Sequence, residues 1–172
     1  MPLTTAQHFA TLAAHIRANT DPLVVTALSN GADNEIARLY NLPAVPAYYL
    51  KRTSLSRHDI LTGTSDDGTT FAWAGGAYIT RSQGERDAFR EMFNSTGSVN
   101  PSLPSITAAF NDIFSGAGGV GNRAHIVAMS RRTAKVVEKV LAVSGAGTKA
   151  DPAVAGYEGE ITPDDVASAL RP

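Results

Sequence analysis

His8, His15, His58 and His125 are the only histidines, and the chain has no cysteine, so a thiolate metal site is ruled out and a nitrogen-based one would rest on these four. His8 and His15 stand seven residues apart, about two helical turns. Helices that chelate a metal place two histidines four apart, and no Asp or Glu cluster accompanies this pair. Surface or interface histidines are the expected reading, with no metal and no cofactor. Gly116-x-Gly118-x-x-Gly121 has the dinucleotide-binding spacing. That motif works where a strand enters and a helix leaves, setting phosphate at the helix N-terminus. Here an apolar helical pattern enters, so the run reads as a hinge. No serine stands in a G-x-S-x-G elbow. Asp66-Asp67-Gly68 reads as a turn, without the further acids of a calcium loop. No catalytic residue is assigned and no enzyme is expected.

Charge offers a second kind of chemistry. Between Arg123 and Lys149 lie six basic residues, Arg123, Arg131, Arg132, Lys135, Lys139 and Lys149, and a single acid, Glu138. Between Asp151 and Asp165 lie five acids, Asp151, Glu158, Glu160, Asp164 and Asp165, and no base. Adjacent copies could pair these segments across an interface, which makes Arg123, Arg131, Arg132, Lys135, Lys139, Glu158, Glu160, Asp164 and Asp165 the candidate interface. The basic stretch could instead meet DNA phosphates or lie along a solvated helix face.

The elements that must carry these residues are mostly helical. Thr4-x-x-Gln7 has capping-box form ahead of Phe9, Leu12, Ala13 and Ile16, predicting a helix over 5–18. Asp21-Pro22 starts a second, which Asn30-Gly31 ends. A third covers 34–40. Ser56-x-x-Asp59 caps a brief one, Ser82-x-x-Glu85 another, and Pro104 opens a helix facing inward with Ile106, Phe110, Ile113 and Phe114. A long helical region is predicted over 122–143, with a break near 130–133, and Thr162-Pro163-Asp164-Asp165 opens a last helix. Phe71 and Trp73 alternate with small residues before Gly75-Gly76, the pattern of a small β-hairpin over 69–80.

The fold class expected is therefore mainly α: seven or eight short helices, one small β-hairpin and extended segments. The chain has 172 residues, which predicts a single domain, 1–172, with a flexible joint at 116–121 and an extended C-terminal arm from about 144. Hydrophobic residues make up 43% and charged ones 18%, enough apolar content for a core beneath a weakly charged surface. The net charge of -1 and pI near 6.4 give no global excess for nucleic acid. Met1-Pro2-Leu3-Thr4-Thr5 does not open an export signal, and no apolar stretch approaches the ~20 residues that span a bilayer. A protein that avoids membranes and is made in a reducing cytoplasm is expected.

Several stretches resemble a family of small tailed-bacteriophage and prophage proteins. They are Ile79-Thr80-Arg81-Ser82-Gln83-Gly84-Glu85-Arg86-Asp87-Ala88-Phe89-Arg90-Glu91-Met92-Phe93, 99–104, 109–116, Asn122-Arg123-Ala124-His125, Arg131-Arg132, Gly156-Tyr157-Glu158-Gly159 and Asp164-Asp165-Val166, with 40–44 and 67–71 upstream. The resemblance covers most of the chain and implies a non-enzymatic virion part from the head and tail gene module, made in the host cytoplasm. By analogy of size and class it points to a head-to-tail adaptor or connector. Such a protein forms a homo-oligomeric ring at the neck, between the portal protein and neighbouring neck or tail proteins, near packaged DNA. Head decoration or tail completion is the alternative within the virion. A DNA-binding accessory factor or enzyme is the alternative outside that class.

Overall fold

The computed structural model of the protein describes residues 3, 5–73, 78–94 and 96–171. In chain order the first elements are helices α1 (Ala6–Ala18), α2 (Pro22–Ser29) and α3 (Asp33–Tyr40), then strand β1 (Tyr49–Lys51). Next come β2 (Leu55–Ser56), α4 (Arg57–Thr62), α5 (Gln83–Glu91), β3 (Ser98–Val99), α6 (Pro104–Ile113), a 3-10 turn at Ala117–Gly119, α7 (Val120–Met129) and β4 (Arg131–Thr133). The chain closes with α8 (Val136–Val140), β5 (Ala142–Ser144), β6 (Val154–Ala155) and α9 (Pro163–Leu170). The fold is mainly α, and its small hairpin is the antiparallel β5–β6 pair, with Ala142 opposite Ala155 and Ser144 opposite Val154.

The chain divides into two compact units. One is Met1–Leu50 with Thr133–Pro172, and the other is Lys51–Arg132. The length suggests a single core, but the buried apolar residues gather separately in each unit.

In the first unit, α1 and α3 both pack on α9. Leu12 and Ile16 of α1, Ile36 and Tyr40 of α3, and Val166 and Ala169 of α9 share one apolar core with Val137 and Tyr157. Local chemistry sets the helix ends. Asp21 accepts from the Leu23 amide and Pro22 opens α2. Gly31, at φ 63°, ends it in the left-handed conformation glycine favours. Thr162 and Asp165 form a reciprocal capping box for α9. At α1 the cap is Thr5, whose hydroxyl accepts from the His8 amide, and Thr4 of the expected capping box lies outside the described residues.

The arm expected beyond 144 folds back instead. Ala153, Tyr157, Ile161, Val166 and Ala169 are buried. Arg17 of α1 donates to the carbonyl of Leu170, one of the last carbonyls of α9. Burying five apolar side chains outweighs the solvation an extended arm would keep.

The second unit is built on aromatic side chains. Phe89 on α5 is fully buried, and ring centroids of Phe93, Phe114 and Phe71 lie 5.4, 5.5 and 6.1 Å from its own. Leu55, Ile60, Val99, Phe110, Ile113 and Ile126 complete the core. Strands β2 and β3 pair antiparallel, Leu55 opposite Val99 and Ser56 opposite Ser98. Ser82 and Glu85 make the predicted capping box on α5. Among the described residues of the expected hairpin, 69–73 and 78–80, none lies in a strand, Thr70 makes a single antiparallel bridge to Thr64, and Gly75-Gly76 lie outside the described residues. Phe71 has turned into the core rather than along a strand.

The glycine run is a close turn between α6 and α7. Gly116 has φ 71°, and a Cβ on Gly119 would stand 1.9 Å from the Phe114 carbonyl oxygen. The helical region predicted over 122–143 ends at Met129. The chain then passes through β4, α8 and β5, so the break foreseen near 130–133 is real and the second half is only partly helical.

Candidate interaction surfaces

The candidate interface residues fall into different units. Arg123, Arg131 and Arg132 belong to the second, and Lys135, Lys139, Glu158, Glu160, Asp164 and Asp165 to the first.

Most of them have work inside the chain. Arg123 donates to the carbonyls of Phe114 and Gly116, closing the C-terminal end of α6. Arg131 is only 6% exposed. Its guanidinium donates to Asp66, at 2.8 Å, and to Asp67. Burial works against its charge, yet the hydrogen bonds and charges of the two aspartates raise its pKa further. The Asp66-Asp67-Gly68 turn is thus an anchor for a buried cation. Lys135 pairs with Glu160 at 2.9 Å within the same chain, and Asp165 is buried as a cap partner. Arg132 is half-buried in β4. Lys139, Glu158 and Asp164 stay exposed, with the Lys139 ammonium 5.7 Å from the Tyr48 ring centroid. Lys135 and Glu160, one basic and one acidic member of the candidate interface, pair with each other within one copy. A partner within reach in the folded chain costs less freedom to engage than one on a second molecule.

The histidines also separate. His58 is exposed, and His125 is fully buried in the second unit. Its Nε2 meets the Ile60 carbonyl at 2.8 Å and its Nδ1 meets the Thr69 hydroxyl at 3.1 Å. A carbonyl only accepts, so Nε2 carries a proton, and in the neutral ring Nδ1 accepts from Thr69. Both ring nitrogens are thereby satisfied, a structural role. Among the described residues no three His, Asp or Glu side chains gather in a metal-binding group.

His15 opens onto a groove of about 370 Å³ in the first unit. Leu23, Leu42 and Val45 line it and stand 59%, 43% and 89% exposed. At the groove, Tyr40 Oη lies 2.7 Å from His15 Nδ1 and accepts from Asn19 Nδ2 at 3.3 Å. In the neutral His15 ring with its proton on Nε2, Nδ1 accepts the Tyr40 hydroxyl proton. Burial, and secondarily the charge of Lys139, lower the His15 pKa and favour that state.

A second groove, of about 420 Å³, lies in the second unit. Trp73, half exposed, forms part of it edge-on to Tyr78, with centroids 5.5 Å apart, and Ile79 beside them is 66% exposed. Gln83, Arg86, Asp87 and Arg90 form its other side. Their spacing is i, i+3, i+4, i+7, one face of α5, while Phe89 points into the core. Arg86 donates to the Ile79 carbonyl at 2.8 Å, and Arg90 pairs with Asp87 at 3.0 Å. The sequence reading missed this surface. The helical spacing of its polar residues was a visible signal, but the exposure of Trp73 was not.

Among the described residues, no helix is long and apolar enough to cross a membrane. Comparison of the chain with protein-family models, with curated proteins and with solved structures finds no match.

Proposed function

We propose that this chain is a non-enzymatic assembly protein of a tailed-phage virion, a head-to-tail adaptor that forms a ring beneath the portal. The observation that carries the assembly reading is the gathering of large apolar side chains at grooves. Leu23, Leu42 and Val45 line one, and Trp73 and Ile79 the other. Exposed apolar clusters with polar rims mark surfaces that other proteins cover. A closed ring needs a heterologous interface, two different patches on each copy, and two dissimilar grooves suit that need. The phage setting, the portal and neck partners and the neck location follow from the resemblance described above. With Arg131 buried and Lys135 paired, the contacts with neighbours are chiefly apolar, and packaged DNA is at most a minor contact.

Quantitative mass spectrometry of purified particles, normalised to the portal protein, tests this. A copy number comparable to the portal supports a neck ring. A copy number close to that of the major capsid protein moves the chain to head decoration, and absence from the particle rejects the virion role.

A further inference from the structure

The groove on α5 has the residue types of a protein-binding anchor. Trp, Tyr and Arg are the side chains that most often dominate interface energies. Here Trp73 and Ile79 provide an apolar seat, and Arg86 and Arg90 flank it one helical turn apart. Asp87 neutralises one of the two arginines, so the face keeps a net single positive charge. Arg86 spends one of its nitrogens on the Ile79 carbonyl, which fixes the guanidinium beside the apolar seat and leaves other N–H donors to meet a carboxylate. Tyr78, only 7% exposed, stands at the same groove, and among the described residues its hydroxyl has no hydrogen-bond partner. Buried hydroxyls are normally paired, so an uncompensated polar group lies beneath the surface beside this site.

We infer that this groove receives an extended segment of a protein partner in which an apolar side chain is followed, within a residue or two, by a carboxylate. The apolar side chain seats against Trp73 and Ile79, and the carboxylate meets Arg86. Single-stranded nucleic acid would also offer a flat base to Trp73 and negative charge to the arginines. The exposed Asp87 on the same face, and a chain whose net charge is -1, disfavour it. The assignment deepens the assembly reading and rests on it only in taking the partner to be a protein.

Trp73 is the only tryptophan, so tryptophan emission reports this groove alone. The test uses the full chain on an array of amidated hexapeptides that pair one Leu or Phe with one Asp or Glu, beside counterparts carrying Asn, Gln or Lys in the acidic position. Captured peptides are then titrated in solution against Trp73 emission. The expected result is a saturable change with acidic peptides, weakened about tenfold or more by the amide counterparts and abolished by lysine. Arg86→Gln should weaken binding likewise. Arg90→Gln alters an exposed side chain, leaves the Arg86–Ile79 bond in place and serves as the variant whose folding is not in question. It should weaken binding less than Arg86→Gln, because Asp87 already engages Arg90. Equal capture of acidic, amide and lysine peptides overturns the inference. So does undiminished binding by both arginine variants with native far-UV circular dichroism. A larger and tighter response to oligothymidylate than to any peptide overturns it in favour of nucleic acid. A negative titration leaves the particle copy number unaffected, and absence from particles leaves the titration unaffected, so the two readings fail separately.

Discussion

Asn41 holds Ile161 by both ends of its backbone: the side-chain amide donates to the Ile161 carbonyl at 2.9 Å, and its oxygen accepts from the Ile161 amide at 3.0 Å. The two residues are 120 positions apart, and the bond pair pins the segment leading into α9 to the end of α3. The second unit repeats the device. Asn122, fully buried, accepts from the Ala72 amide at 2.8 Å and donates to the Ala72 carbonyl at 3.0 Å. In both cases a non-helical segment whose backbone groups lack a ladder partner is satisfied by one side-chain amide.

Asn41→Ala should therefore destabilise the first unit by about 2 kcal/mol, from two lost bonds and the desolvated backbone groups left behind. Hydrogen exchange at the Ile161 amide is the direct measurement. An unchanged protection factor in the variant would show that the clamp contributes nothing.

Arg131 offers an asymmetric comparison. Its guanidinium is buried, while Asp66 and Asp67 are each 40% exposed. Removing both carboxylates, as Asp66→Asn with Asp67→Asn, weakens the compensation of a buried cation and should cost about 3 kcal/mol. Arg131→Met removes the cation, fills much of its volume and leaves carboxylates that water can reach, so it should cost less. Urea denaturation of both variants checks the order. A larger loss for Arg131→Met would mean that the arginine acts mainly through packing or through its other contacts.

The His15 pKa is depressed by burial and by Lys139, and the sign of the consequence follows from linkage. Between the lowered folded value and the ordinary value near 6.5, the unfolded chain binds more protons than the folded one. Stability from this group is thus complete above the ordinary value and is lost as pH falls towards the folded one. The side chain is substantially exposed, which holds the effect to well under about 1 kcal/mol. His15→Gln should flatten the fall of Tm as pH is lowered from neutrality through the ordinary value near 6.5. An identical slope in the variant would assign the acid sensitivity to other groups.

What was legible in the sequence was local. The caps at Asp21-Pro22, Ser56, Ser82–Glu85 and Thr162–Asp165 depend on residues within one turn, and each sits where its pattern predicts. The return of the C-terminal segment was not legible, because Ile161 and Val166 bury against residues more than a hundred positions earlier. Charge patterning misled for the same reason. Arg131 looked like part of a basic strip with its sequence neighbours, but its partners Asp66 and Asp67 stand 65 and 64 positions away. Half of the α5 groove could be read as a helical face. Its other half, Trp73 and Ile79, depends on which aromatic rings the core leaves outside, and Phe71, Phe89 and Phe114 settle that only in three dimensions.

The glycines that suggested nucleotide binding can be separated by substitution. A Cβ on Gly119 would stand 1.9 Å from the Phe114 carbonyl oxygen and 2.4 Å from its carbon, both backbone atoms that cannot swing aside. Gly119→Ala must open the α6–α7 turn and should cost about 2 kcal/mol or more. At Gly121, in the first turn of α7, an added Cβ meets nothing within 4 Å, and φ lies outside the left-handed region. Gly121→Ala should stabilise by about 0.5 kcal/mol, by reducing the freedom of the unfolded chain and favouring helix. The phosphate-loop reading orders these differently, since there the glycines allow a ligand to approach the backbone. Thermal denaturation of the two variants, with and without added ATP or NAD, separates the readings. Opposite signs with no nucleotide effect establish the run as a packing turn. A nucleotide-dependent rise in Tm that Gly121→Ala abolishes would restore the binding motif.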